Sequence, residues 1–339
     1  MDGESQADPA APAGEATASP LAPRRPGLRL LAAIGAAVAV GVALFLLYRV
    51  LHRYNLHQVV AAVADIPARQ IALAALCAAG SYATLSLFDF LGVRYTGRRL
   101  PYRKVLLASF TSLSIGHSIG LAALSTGAVR YRFYRSWGLG RGDVARIVVF
   151  CAVTAGLGLL GLDGVALLAA PALLGEAVAA PPALVRAAGA VCLAAIPLYL
   201  VLVLVVKPQL RLRGWLLRTP PPRLALAQVV LGPLNFLFVA ATLYQVLEPA
   251  TGIGFLAVAG VYGVANLLSI LAHVPGGWGV LETAVILVVP DADPIGALVA
   301  FRVVYFLVPF CLGLVLLAAA EARRHRVRSA ARGTARTIP

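Results

Sequence analysis

The chain has 339 residues, 60% of them apolar and only 13% charged, against roughly a quarter charged in soluble domains. Its mean hydropathy is +0.86, and long uncharged apolar stretches recur from Leu28 to Ala320, which leaves no room for a sizeable soluble catalytic domain. The 29 lysines and arginines exceed the 14 acids for a net charge of +15. On a soluble protein that excess would suggest nucleic acid, but here the basic residues lie between apolar segments and in the tail. Cytoplasmic retention and anionic lipid account for them with no nucleic-acid partner.

Residues 1–27, rich in Ala, Pro, Gly and Ser, read as a disordered N-terminal tail. A single transmembrane domain over 28–320 and a basic cytoplasmic tail over 321–339 follow. The apolar run 28–48 is longer than the core of a signal peptide and reads as a first span. Further spans are expected at 70–91, 147–170, 187–206, 224–247 and 295–319, each long enough at ~1.5 Å per residue to cross a ~30 Å hydrocarbon core. The fold class is an all-α polytopic membrane protein with about six full spans. Cys77, Cys151, Cys192 and Cys311 sit inside apolar segments without metal-ligand spacing and read as small hydrophobes. Nothing in the sequence calls for a metal or cofactor, and no nucleotide-binding loop is present.

Charge parity constrains what lies between the spans. Segments 92–104, 124–146 and 207–223 carry five basic residues each and the tail after Glu321 six, whereas 171–185, 248–252 and 290–294 carry none. The basic set is expected on the cytoplasmic side, together with both termini. Two of these basic loops flank one apolar segment, 105–123, which then cannot cross between them. It is expected to enter from the cytoplasm and return as a re-entrant hairpin, tolerable only where protein or a wet cavity surrounds it. In the C-terminal half, 253–272 is followed by the breaker run from His273 to Gly279 and a short apolar run, 280–289. That pattern reads as a second hairpin, entering from the opposite side. Its first limb is long enough to cross alone, so a tilt or break is assumed. Span, hairpin and span thus occur twice in opposite orientation, over 70–170 and 224–319, a possible inverted-topology repeat of the kind that places transporter sites near the midplane.

Several polar residues fall where hydrocarbon is expected. His117 and Ser118 lie in the glycine-rich stretch Gly116-His117-Ser118-Ile119-Gly120. His117, and likewise His273, reads either as a histidine hydrogen-bonded to a neighbouring helix or as a polar group offered to a ligand. The same stretch has the form of a serine-hydrolase elbow, but that motif needs an α/β sheet. An intramembrane hydrolase pairing Ser118 with His273 is the remote alternative. Arg130 and Arg132, just after the first hairpin, either hold a lipid phosphate bidentately or serve plain cytoplasmic retention. Glu282 and Arg302 are expected below the outer surface, where they should pair or face a wet cavity. Asp163 is a third candidate in the outer half, and Asp89, near a cytoplasmic end, should meet an adjacent arginine. Asn235 and Asn266 read as interhelical hydrogen-bond partners.

Two motifs carry a resemblance. Gly116-His117-Ser118-Ile119-Gly120 through Ser125-Thr126-Gly127, with Arg130-Tyr131-Arg132-Phe133-Tyr134 and Gly138-Leu139, is the first; His273-Val274-Pro275-Gly276-Gly277-Trp278-Gly279-Val280-Leu281-Glu282 is the second. Together they resemble the transmembrane domain of the lysylphosphatidylglycerol synthetase family over about 30–320, with Thr126 and Leu281 replacing an expected glycine and phenylalanine. The resemblance implies a flippase-like module of a bacterial inner membrane, acting on a phospholipid or lipid-linked headgroup. Possible partners are that lipid and a separate lipid-modifying synthase. The sequence ends soon after the last span, so no aminoacyl-transfer activity is expected; a non-transporting accessory protein of the cell envelope is the other alternative. Cysteines introduced at Ser136 and Ala292 should react with an impermeant reagent from opposite sides of the membrane; reaction from one side would rule out the hairpin arrangement.

Overall fold

The computed structural model describes residues 64, 66–119, 122–177, 179–205, 209–212, 215–271, 277, 279–289 and 294–334, with backbone alone at 118, 119, 122–125, 177, 209–212, 215–218 and 324–334. The expected tail 1–27, the span 28–48 and His273 lie outside the described residues. The rest is helical apart from one short antiparallel ribbon. In chain order the elements are α1 (Ala68–Tyr95), α2 (Tyr102–Ile119), α3 (Ala122–Ser136), α4 (Arg141–Ala169), α5 (Pro171–Ala177) and α6 (Pro182–Val205). Strands β1 (Gln209–Leu212) and β2 (Trp215–Arg218) pair with Gln209 opposite Arg218. Then come α7 (Pro222–Thr251), α8 (Phe255–Leu271), α9 (Val280–Val288), α10 (Ile295–Arg302), a π-helical turn (Val303–Leu307) and α11 (Val308–Thr334).

Five helices among the described residues are long and apolar enough to cross a membrane: Ala68–Tyr95, Arg141–Ala169, Pro182–Val205, Pro222–Thr251 and Ile295–Arg323. They coincide with the five expected spans in this region, each extended by a few residues into polar flanks. Helix α6 presents nearly all of its apolar surface outward, as a lipid-facing helix should. The protein is an all-α polytopic membrane protein.

Both expected hairpins are present, with a correction to the first. Its limbs are the packed helices α2 and α3, so the structure extends over 102–136 rather than 105–123 and is helical almost throughout. Arg130 and Arg132, expected in a loop beyond the hairpin, stand instead on its second limb. Helix α8 is an unbroken first limb of 17 residues, returning through the 9-residue α9. The limb has no break of its own, and the turn comes after it in the expected breaker run, where Gly277 and Gly279 have φ of +62° and +84°, a region that strongly favours glycine.

Two halves, 68–169 and 222–323, follow the same plan of span, hairpin and span. Their first spans, α1 and α7, pack together at the centre. Each hairpin also packs against the last span of the other half: α2 lies on α11, and α8 lies on α4. This reciprocal exchange is what an inverted repeat produces.

The halves also meet where α4 crosses α7, through Gly158 and Gly232. A Cβ on Gly232 would sit 2.8 Å from the Gly158 nitrogen and closer still to the Thr154 carbonyl, so only glycine allows this backbone approach. Replacing Gly232 by leucine should lower the melting temperature in detergent by several degrees, since overpacking a tight contact costs about 1–3 kcal/mol. Gly156→Ala, on open surface of the facing helix α4, is the control expected to melt like the parent.

Candidate functional site

The basic end of the bundle is built from helix termini. Asp143, in the first turn of α4, accepts from the Gly140 backbone N–H at 3.1 Å and lies 3.5 Å from Arg98 and 3.8 Å from Arg146. Tyr131 on α3 accepts from Arg141 at 3.2 Å and from Arg135, and these hydrogen bonds hold its phenol below the ordinary tyrosine range. Arg132 pairs with Glu321 at 2.7 Å, joining the first hairpin to the last span.

Arg130 has a different environment. Its Nη2 donates to Asp89 Oδ2 at 2.8 Å, and Asp89 is wholly buried in α1. The other carboxylate oxygen lies 3.8 Å from the Cys151 sulfur of α4. Asp89 therefore meets an arginine as expected, but that arginine comes from the hairpin, 41 residues along the chain. Arg130 is committed to this pair and does not stand at an open mouth.

The second hairpin is tied in the reverse sense. Glu282, on the short limb α9, receives the Arg302 guanidinium at 2.9 Å through Oε1, and its Oε2 accepts the Gly279 backbone N–H at 2.8 Å. One carboxylate thus caps its own helix and fastens it to the last span. Arg302 also donates to the Gly277 carbonyl at 3.2 Å and lies 5.3 Å from the Phe306 ring. Of the two expectations for Glu282 and Arg302, pairing or facing a wet cavity, the structure shows the pair.

Between these tethers runs a polar and aromatic line that sequence reasoning did not assemble. The Ser81 hydroxyl of α1 lies 2.8 Å from Asn235 Oδ1 of α7 and 2.9 Å from the Tyr305 hydroxyl. Donating to the first leaves it to accept from the second. Tyr82 donates to the Tyr305 carbonyl at 3.2 Å, inside the π-helical turn, a type of distortion found often at functional sites. Ring contacts extend the line both ways: Tyr82 is 6.5 Å from His117, and Tyr305 stacks on Phe301 at 5.6 Å, which in turn lies 6.4 Å from Tyr262. It joins the first limb of one hairpin to the first limb of the other, through the crossing of the two halves.

His117 stands at one end, in α2, with its Nδ1 buried and without a hydrogen-bond partner among the described residues. Asn235 is the interhelical partner it was expected to be, whereas Asn266 bonds Tyr262 one turn away on its own helix. Ser118's side chain and the whole of His273 lie outside the described residues, so the two are not brought together here. Among the described residues no cluster of His, Cys, Asp or Glu has the makings of a metal site.

The buried ion pair at Asp89 gives a direct expectation. Arg130→Gln leaves a carboxylate uncompensated, a loss of about 3–5 kcal/mol for buried pairs, and should lower the melting temperature sharply. The double variant D89N/R130Q should recover most of the loss, a coupling visible in a double-mutant cycle.

No family model matches the chain. It is similar to the inner membrane protein YbhN of Escherichia coli strain K12, 28% identical over 259 residues that cover 74% of this chain and 80% of that one. Similarity to the uncharacterized protein slr0712 of Synechocystis extends further, 32% identity over 301 residues, 86% of this chain and 93% of the relative. An integral membrane protein of polytopic helical build, the chain belongs to the same family as slr0712.

Proposed function

We propose that this protein is a lipid translocator of a bacterial inner membrane, moving or binding a phospholipid or lipid-linked headgroup, and that it is not an enzyme. The observation that carries this reading is the polar and aromatic line from His117 through Tyr82, Ser81 and Tyr305 to Tyr262. It lies between two exchanged hairpins, in the arrangement transporters use to place a site at the midplane. The likeness of its two motifs to the membrane domain of lysylphosphatidylglycerol synthetases supports the same reading. The E. coli relative, named an inner membrane protein, supports the membrane location alone.

In this scheme the basic end faces the cytoplasm with both termini. Because Arg130 is buried against Asp89, headgroup capture falls to the exposed Arg132, whose pair with Glu321 a phosphate would exchange, and to its neighbours Arg135 and Arg141, whose guanidinium groups suit phosphate oxygens. His117 stands at one side of the passage, and the Glu282–Arg302 pair holds its far end; Ser118's side chain and His273, expected to belong to it, lie outside the described residues. A separate synthase supplies the modified lipid.

The test is a scramblase-type assay. Purified protein in vesicles of phosphatidylethanolamine and phosphatidylglycerol should accelerate the exchange of fluorophore-labelled phosphatidylglycerol between leaflets. Ser81→Val and Tyr305→Phe should slow it several-fold while keeping the parent's helix content. Exchange no faster than in protein-free vesicles, across several headgroups, would overturn the assignment and favour an accessory protein that transports nothing.

A further inference from the structure

Asp163 lies within the last two turns of α4 and is only 4% exposed. Its carboxyl group rests on the backbone of Gly263 in α8: a Cβ at Gly263 would come within 2.8 Å of the Asp163 carboxyl carbon and nearer still to Oδ1. That oxygen is buried and has no hydrogen-bond partner among the described residues. This contact joins the last span of one half to the hairpin of the other.

Among the described residues the surroundings offer no counter-charge. Tyr262 faces it from α8 and Cys192 from α6, and neither side chain is a cation. Helix α7 presents Pro233 to the adjoining Gly161, and α5 presents Leu174 to Gly260. The charged residues of α5 and α6, Glu176 and Arg186, are exposed, and Arg223 and Glu248 stand near the two ends of α7. A carboxylate in such a place is costly unless water or a cation reaches it, whereas the neutral acid tolerates a dry contact with a glycine backbone.

We propose that Asp163 is a proton-binding site whose occupancy closes and opens the contact between α4 and the α8–α9 hairpin, coupling a proton gradient to movement of that hairpin. The step is proton transfer alone: the carboxylate takes a proton from water entering the contact and returns it to water when the contact parts. Tyr262, beside Gly263, lies 6.4 Å from Phe301, the neighbour of Arg302, so a shift of α8 reaches the tether that holds α9. The site stands on this geometry; its use as an energy source rests on the translocator reading.

Infrared difference spectra of the protein in phosphatidylethanolamine and phosphatidylglycerol vesicles test the site without any transport. A carboxylic-acid carbonyl band should titrate with pH, vanish in Asp163→Asn and shift in frequency in Asp163→Glu. A band unchanged by both substitutions overturns the proposal; should the asparagine variant not fold, the glutamate shift alone decides. In the same vesicles an imposed pH gradient should change the exchange of labelled phosphatidylglycerol several-fold in the parent and in Asp163→Glu, but not in Asp163→Asn. Exchange indifferent to the gradient in the parent would overturn the coupling. A titrating band with no exchange at all would remove the translocator reading and leave the proton site standing.

Discussion

Short helices that enter a membrane and turn back leave polar backbone at the turn with no water to satisfy it, and the architecture of this protein is organised around holding two such turns in place. Each is fastened by an ion pair on its second limb. Arg130 ties the first hairpin to the buried Asp89 of α1, and Glu282 ties the second to Arg302 at the start of the last span. Neither pair is a simple gain in stability, because removing both charges from water costs several kcal/mol or more per ion. Their value is in position: a limb as short as α9, 9 residues, has too little apolar surface to fix its own register.

The pairs mirror one another with the signs exchanged. In the first half the base is on the hairpin and the acid on the span; in the second the acid is on the hairpin and the base on the span. Both tethers are therefore neutral as units, and neither gives the centre of the bundle a net charge. What remains between them is hydroxyl, amide and aromatic, a surface that can meet a zwitterionic or anionic headgroup without trapping it.

Much of this arrangement was legible in the sequence because the membrane makes arginine placement a topological signal. Basic loops on both sides of 105–123 forbade a crossing there, and the glycine-rich breaker before 280–289 marked the second turn. The extent of the first hairpin was misread for a physical reason: Ala122–Ser136 includes three arginines and little hydrophobicity, so it reads as a loop, and it is helical because packing against α2 outweighs local polarity. The Asp89–Arg130 pair shared that cause. Ser81, Tyr82 and Tyr305 escaped notice because each is an ordinary single polar residue in its own span, and Asn235 was legible only as a hydrogen-bond partner with nothing to say which helix it would meet. Only the crossing of α1 with α7 brings them together, and the π-helical turn that presents the Tyr305 carbonyl has no sequence signature.

The exchange of hairpins between halves constrains how the molecule can move. If each hairpin packed only within its own half, the halves could rock as rigid units about the α1–α7 crossing. Because α2 lies on α11 and α8 on α4, any rocking must slide a hairpin along the opposite half's last span. The two sliding surfaces are unlike. Ser114 of α2 meets Gly313 of α11 through a small hydroxyl, so that a Cβ there would lie 3.2 Å from the Ser114 side-chain carbon. At the other, a lone carboxyl group faces Gly263. A hydroxyl can satisfy itself on its own helix, as Ser114 does at 3.3 Å from the Thr111 carbonyl, and so its contact changes little in energy as it slides. A carboxyl group changes the energy of its contact by a whole charge. Movement is thus most sensitive to conditions at the α4–α8 surface, and the symmetry of the fold is broken there by chemistry rather than by shape.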